Sequence, residues 1–360
     1  MILQDKIKVL VVDDSALMRK VLTDMLQKDP DIVVVGTSNN GKGAIARNED
    51  LKPDVITLDV EMPILDGLGA LKHIMETRPT PVIMVSVLTQ HGAETTFKAL
   101  EMGALDFVPK PSAQLSLSNE EIGDLLRNKV KSISKYKFRF AENIRSHSKE
   151  RISSLLVDKP HAPRLGTTKT HSDKIVAIGT STGGPQALIE VFKLFPENFP
   201  APVVVVQHMP EGFTTSFGER LNGSSALNVK EAGDGDILKP GCGYLAPGHS
   251  HMTIEKHLSN EYRICLSQTE KVSGHRPSID VLFRSVARNW GSRSVAVIMT
   301  GMGRDGASGI SEIRKIGGFT LAQNEETSVV YGMNRAAVDE GGIDEIVPLG
   351  DITKKIVEHI

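Results

Sequence analysis

The sequence predicts an α/β protein built from two doubly wound domains, and two observations carry that prediction. Short apolar, β-branched runs alternate with amphipathic, helix-compatible segments, as in a mainly parallel sheet covered on both faces. The alternation lapses into a polar stretch between Ser132 and Asp173 and then resumes. The expected division is therefore a first domain over residues 1–131, a linker over 132–173 and a second domain over 174–360.

In the first domain "IKVLVV" leads to "SALMRKVLTDMLQK", "IVVVGT" to "GKGAIARN", and "DVITLDV" to "GLGALKHIMET". "PVIMVSVLT" leads to "ETTFKALEMG", and "ALDFVPKP" to "NEEIGDLLRNKVKSI". Five such repeats give five parallel strands, since successive strand–helix units cross over in the same sense. The linker is rich in Lys, Arg, Ser and His and carries Pro160, Pro163 and Gly166, the composition of a solvated connector. Within it "KYKFRFAENI" reads as a short amphipathic helix. The second domain restarts with "IVAIG", continues with "PVVVVQH" and "SVAVIMTG", and ends in "IDEIVPLGDITKKIVEHI". Between His208 and Arg276, "KPGCGYLAPGHSHMTIEK" reads as an antiparallel excursion.

Composition narrows the function classes. Of 360 residues 40% are hydrophobic and the formal charge is −2, so a sizeable core is available and no basic surface points to nucleic acid. A helix-turn-helix after the linker is not apparent. Cys242 and Cys265 make neither a disulfide framework nor a zinc spacing, which suits a reducing compartment. No secretory pattern opens the chain and no apolar run approaches the ~20 residues that span a bilayer. A cytoplasmic protein that is not membrane-embedded is expected, and nothing demands more than a monomer.

Open parallel sheets work at the carboxyl ends of their strands. In the first domain those ends carry Asp13 and Asp14, Asp59, Ser86 and Lys110. Any one of these aspartates suits a helix cap. Together the carboxylates would repel one another unless a cation sat among them, and hard oxygen ligands suit Mg²⁺. Asp59 is the natural carboxylate nucleophile for an acyl phosphate, with Ser86 and Lys110 placed to sense the phosphoryl group.

In the second domain, "IGTSTGG" turns a buried strand into a helix that starts at Pro185. It lacks the Lys of a phosphate loop and the second Gly of a dinucleotide fingerprint, but it contains G-x-S-x-G, which exposes Ser181 on a tight elbow. His208 ends the next strand and Asp305 follows a later one. Ser181 as nucleophile, His208 as general base and Asp305 as its orienting carboxylate form a coherent set. Amides at the start of the helix after Ser181, with the Met302 main chain between Gly301 and Gly303, are candidate oxyanion donors. The structural alternatives are a packed or capping His208 and an N-capping Asp305. The chain order Ser, His, Asp differs from that of the α/β-hydrolase fold, which is therefore not expected. His249, His251, His257 and His275 have no partners at metal-ligand spacing and read as cleft or surface residues; Arg276 suits an acidic substrate or an internal carboxylate.

The stretches "VLVVDDSALMR", "DVITLDVEMPILDG", "SVLT" and "DFVPKP" resemble the receiver domain of two-component response regulators. "IGTSTGGPQAL", "VVVVQHMP", "YLAPGHSHM", "GHRPSIDVLF", "MTGMGRDGA" and "VVYGMNRAA" resemble the catalytic domain of the chemotaxis protein-glutamate methylesterases, the CheB family. The first resemblance implies a flavodoxin-like fold, phosphorylation of Asp59 by a histidine kinase, and Mg²⁺ held by Asp14, Asp59 and the Glu61 carbonyl with help from Asp13. It also implies a frequently cis Lys110–Pro111 bond. The second implies hydrolysis of glutamate methyl esters and deamidation of glutamines on chemoreceptors, with Ser181, His208 and Asp305 as the catalytic set and Thr182 and Met302 assisting. Together they imply that the unphosphorylated receiver covers the catalytic cleft. The family's usual "GMPREA" is "GMNRAA" here, so Asn334 replaces a proline at an expected helix start.

Overall fold

A computed structural model describes residues 6–87, 89–112, 118–135, 173–257 and 261–360. The chain divides into two compact units, Met1–Pro160 and His161–Ile360. Most of the expected linker, including nearly all of "KYKFRFAENI", lies outside the described residues.

The first unit alternates β1 (Ile7–Val12), α1 (Ala16–Gln27), β2 (Ile32–Ser38), α2 (Gly41–Leu51), β3 (Val55–Asp59), α3 (Gly67–Thr77), β4 (Val82–Ser86), α4 (Gln90–Glu101), β5 (Asp106–Pro109) and α5 (Asn119–Ser134). The sheet order is β2-β1-β3-β4-β5 and every pairing is parallel. Val9 to Val12 and Val82 to Val85 are wholly buried, which is why these strands read as unbroken apolar runs. Side-chain caps fix where the helices begin: Ser15 accepts from the Met18 amide, Asp66 from Gly69, and Ser118 forms a capping box with Glu121. The polar face of α2 also has a reason, because buried Asn48 donates to Arg78 O at 3.0 Å and accepts from Thr80 Oγ1 at 2.9 Å.

The second unit contains β6 (Ile175–Thr180), α6 (Gly184–Lys193), β7 (Val203–Gln207), α7 (Thr214–Ser224), β8 (Asn228–Glu231), β9 (Cys242–Leu245), β10 (His251–Lys256) and β11 (Tyr262–Ser267). It closes with α8 (Ile279–Trp290), β12 (Ser294–Ile298), α9 (Ala307–Lys315), β13 (Phe319–Gln323), α10 (Met333–Asp339), β14 (Glu345–Val347) and α11 (Ile352–Glu358). Seven strands form one parallel sheet in the order β14-β13-β12-β6-β7-β9-β8. From β6 the chain winds outward through β7, then returns to β12 on the other flank of β6. The carboxyl ends of β6 and β12 are thus the switch point, where open sheets bind ligands.

The antiparallel excursion is narrower than the sequence suggests. Among the strands of the described residues, β10 and β11 pair antiparallel, while β8 and β9 extend the main sheet in parallel. These two strands are four residues each, too short for periodicity to declare their direction. The hairpin is fastened to α8, whose Ser285 Oγ accepts from the Ile254 amide at 3.1 Å and whose Asn289 Nδ2 donates to Ile254 O at 2.8 Å. The cis peptide bond among the described residues is Arg276–Pro277, and Lys110–Pro111 is trans.

Candidate active site and phosphoacceptor pocket

In the first unit Asp13 directly follows β1 and Asp59 closes β3, so both stand at a switch point, between neighbouring strands that lead in opposite directions. Carboxylate oxygens of Asp13, Asp14 and Asp59 lie within 4.8 Å of one another. The Lys110 ammonium is 2.9 Å from Asp13 Oδ2 and 2.7 Å from Asp59 Oδ2. Beside them a cavity of ≈ 180 Å³ is lined by Asp14, Asp59, Glu61 and Lys110 among others. Burial raises the Asp59 pKa to about 6; Lys110 opposes that rise and the Asp13 charge adds to it.

Mg²⁺ fits this donor set. Asp13 Oδ2 and Asp59 Oδ2 are buried and accept no hydrogen bond beyond their ion pairs with Lys110, and Asp14 is exposed to the solvent side. A divalent ion would engage hard oxygen lone pairs that the protein leaves open, and would relieve the repulsion among three carboxylates. Ser86 is arranged differently from the expectation of a phosphoryl sensor. Its buried hydroxyl donates to Gly92 O at 3.2 Å and Val87 O at 3.3 Å, so it must exchange these bonds to reach the cavity.

In the second unit β6 runs into the turn Ser181–Gly183. Gly183 sits at φ +76, and a Cβ there would come within 2.6 Å of Val329, so this turn requires glycine. The Ser181 amide donates to Thr300 O at 3.0 Å, beyond the end of β12, and the His208 amide donates to Thr180 O at 3.1 Å, beyond the end of β7. The nucleophile candidate is thereby held between the two neighbouring strand ends. Gly301 completes the seat: a Cβ on it would stand 2.8 Å from Ser181 Cβ and 2.4 Å from Met333 Sδ.

His208 Nε2 and Asp305 Oδ2 are 2.8 Å apart. Asp305 is 1% exposed and sits at the amino end of α8, where it accepts from the Ile279 amide at 2.7 Å, the Asp280 amide at 3.2 Å and Ser278 Oγ at 2.8 Å. Burial pushes its pKa up, but His208, the Ile279 amide and the Ser278 hydroxyl together outweigh that and bring it down to about 2. An ionised carboxylate only accepts, so Nε2 carries the proton. The other ring nitrogen, Nδ1, is buried with no hydrogen-bond partner. Ser181 Oγ is accordingly not bonded to the imidazole in this resting geometry; such bonds commonly tighten only with substrate bound.

Of the expected assisting residues, Thr182 is buried and its carbonyl accepts from Thr300 Oγ1 at 2.8 Å. Met302 follows Gly301 in a turn pressed against Gly332, where a Cβ would stand 3.2 Å from Met302 Cα. The remaining histidines separate. His275 stacks on His208 with ring centroids 3.8 Å apart, inside the site. His251, expected in the cleft or on the surface, is instead buried and structural: Nδ1 accepts from the Ser278 amide at 3.2 Å and Nε2 donates to Glu270 O at 3.0 Å. Among the described residues, the one His, Cys, Asp or Glu cluster spaced for a metal is that of the first unit. Arg276 Nη1 donates to the Gln268 and Thr269 carbonyls at 3.1 and 3.0 Å. Sequence reasoning passed over Ser278 and Gln207. Ser278 had a signal, the N-cap pattern before "IDVLF", and Gln207 had the weaker one of a polar residue closing an apolar strand.

Two family models match the chain. Residues 9–120 match the response regulator receiver domain and residues 176–356 match the CheB methylesterase family. The chain is therefore a two-component response regulator with an enzyme-family domain behind its receiver. More narrowly, it belongs to the CheB methylesterase family. A Pyrococcus horikoshii protein named protein-glutamate methylesterase/protein-glutamine glutaminase is 46% identical over 99% of this chain and 94% of its own length. One of the same name from Halalkalibacterium halodurans is 44% identical over 99% of each. The crystal structure of the Thermotoga maritima CheB methylesterase catalytic domain is similar at a TM-score of 0.51 and 42% identity, covering 52% of this chain and 100% of that one.

Proposed function

We propose that the protein is a phosphorylation-regulated protein-glutamate methylesterase and protein-glutamine glutaminase of chemoreceptors, acting through Ser181, His208 and Asp305. The observation that carries this reading is the His208–Asp305 pair, whose carboxylate is saturated by four donors and leaves the other ring nitrogen without a partner, at the end of the strand that neighbours the one leading into Ser181.

Ser181 Oγ attacks the side-chain ester carbonyl as His208 Nδ1 takes its proton. The tetrahedral intermediate collapses, the C–O bond to methoxy breaks, and the imidazolium returns its proton to release methanol. Water, activated by the same nitrogen, adds to the acyl-enzyme and frees the glutamate carboxylate and Ser181. A glutamine follows the same path and releases ammonia, more slowly because amide nitrogen is the poorer leaving group. Thr182 and Met302 are the proposed supports of the oxyanion.

In the receiver, Asp59 would attack the phosphorus of a phosphohistidine on a partner kinase, forming a P–O bond as the P–N bond breaks. Asp13, Asp14, Asp59 and the Glu61 carbonyl would hold Mg²⁺, which supplies charge neutralisation for an incoming phosphoryl group. Lys110 adds a fixed positive charge at the same oxygens.

Methanol release from membranes carrying methylated chemoreceptors is the direct test. Activity on short soluble esters alone would assign a different substrate. Asp59→Asn should abolish the stimulation of methanol release by a small acyl-phosphate donor; equal stimulation of variant and wild type would refute the regulatory part. Gly301→Ala should press a methyl group against Ser181 Cβ. A displacement of ~1 Å costs ~100-fold in rate, so kcat should fall by about that factor while KM changes little. Steady-state methanol release reads both constants.

A further inference from the structure

We infer that Gln207 is a positioning residue for catalysis, because its one buried side-chain amide holds the main-chain carbonyls of both Ser181 and His208. This rests on the reading of those two residues given above, and goes beyond it by naming what sets their separation.

Gln207 is the last residue of β7 and is 2% exposed. Its Nε2 donates to Ser181 O at 2.9 Å and to His208 O at 3.0 Å. Its Oε1 accepts from Thr180 Oγ1 at 2.5 Å. Both amide hydrogens are thus committed to carbonyls on two different strand ends, and the opposite amide orientation would set an acceptor against two acceptors. Gly184 closes the remaining side, since a Cβ on it would meet Oε1 at 2.0 Å. The side chain has neither a second hydrogen-bonding arrangement nor room to turn.

The consequence follows from which peptide groups are fixed. Ser181 O accepts from the Gly184 amide at 2.8 Å as well as from Gln207, so the peptide plane after the nucleophile is pinned from both sides. The His208 amide bonds Thr180 O and its carbonyl bonds Gln207, so the planes before and after the base are pinned too. Cα–Cβ directions at 181 and 208 follow from those planes. Catalytic groups need placement within ~0.5 Å, and a glutamine spanning both backbones supplies it from one rigid strand end. Glutamate at 207 would face the two carbonyls with acceptors, and methionine would keep the volume and lose both donors.

The experiment uses full-length Gln207→Met and Gln207→Glu. It measures methanol release from methylated receptor membranes, the rate of covalent labelling by a fluorophosphonate, and thermal melting. The expected result is a ~100-fold fall in kcat and in labelling rate, with KM within twofold. The pH profile should keep its limbs and lose only height, which a general loosening of the fold would not produce. Thr180→Val, which removes the donor to Oε1, should shift both rates the same way by a smaller factor; it decides the question if the Gln207 variants do not fold. Wild-type labelling and kcat in folded Gln207→Met, or in Thr180→Val should that be the folded variant, would overturn the inference. Ser181→Ala separates the two levels. If it keeps full activity the underlying triad fails, whereas an inactive Ser181→Ala beside a fully active Gln207→Met removes only the role of Gln207.

Discussion

Ser181→Ala should reduce methanol release from methylated receptor membranes by at least ~10⁴-fold, because a triad without its nucleophile keeps only the rate enhancement of binding and oxyanion contacts. Stability should barely change. The substitution removes one hydroxyl from a residue that is anchored through its backbone, by the Ser181 amide on Thr300 O and by Gln207 on Ser181 O. Ser181 is 8% exposed, but its anchoring bonds are main-chain and survive the substitution, so stability should shift by about 1 kcal/mol or less. Receiver chemistry should be untouched, so phosphorylation of Asp59 measured in the same preparation serves as the internal control for folding. Loss of methanol release with normal phosphorylation and melting is the expected pattern. Retained release would remove the serine from the mechanism.

Asp305 should show the second large effect, and it divides between two variants. Asp305→Asn keeps the volume but turns one acceptor into a donor. With the new donor at the Oδ2 position, His208 presents its lone pair at Nε2 and its proton at Nδ1, the wrong tautomer for the proposed base. A loss of ~10⁴-fold in kcat is the measured scale for that change in a Ser-His-Asp enzyme. Asp305→Ala should add a loss of stability. It strands the Ile279 and Asp280 amides and the Ser278 hydroxyl inside the protein, at about 1–3 kcal/mol for each unsatisfied group. Thermal melting of the two variants separates the catalytic from the structural share. The sign of the pH dependence is also fixed. The folded pKa of Asp305 lies at about 2, below the ordinary 3.8, so its stabilisation is present above that ordinary value and is lost as pH falls toward 2. Asp305→Asn should flatten the part of the acid-stability curve between those values.

A parallel sheet places strand-end residues on one rim, so Asp13, Asp59, Ser86 and Lys110 could be grouped without knowing a single distance. The same rule grouped Ser181, His208 and Asp305, and the structure brings a direct contact between the last two and backbone contacts from Ser181 to both flanking strand ends. What the rule cannot convey is where a side chain points. Ser86 stands at its strand end, yet its hydroxyl turns back to Gly92. His251, expected in the cleft or on the surface, is a buried fastener of the α8 cap, because the hairpin that carries it folds onto α8. The choice of ring nitrogen on His208 depends on the four donors gathered around Asp305, three of them from a helix start nearly thirty residues earlier in the chain.

Asn334 shows the same boundary. Its position suggested an altered helix start, but its effect lies in the preceding loop. The buried side chain donates to Gln323 O at 2.7 Å and Ser328 Oγ at 3.1 Å, holding the segment whose Val330 carbonyl accepts from the Gly301 amide. A sequence shows a residue type at a helix boundary; it does not show that the side chain reaches backward rather than forward.

Ser181, as a nucleophile activated by His208, should react with an irreversible serine-directed probe. Full-length protein treated with a fluorophosphonate should gain one adduct, mapped by peptide mass spectrometry to Ser181, in step with the loss of methanol release and far more slowly in His208→Ala. Complete inactivation with Ser181 unlabelled, or labelling as fast without His208, would contradict that role of Ser181.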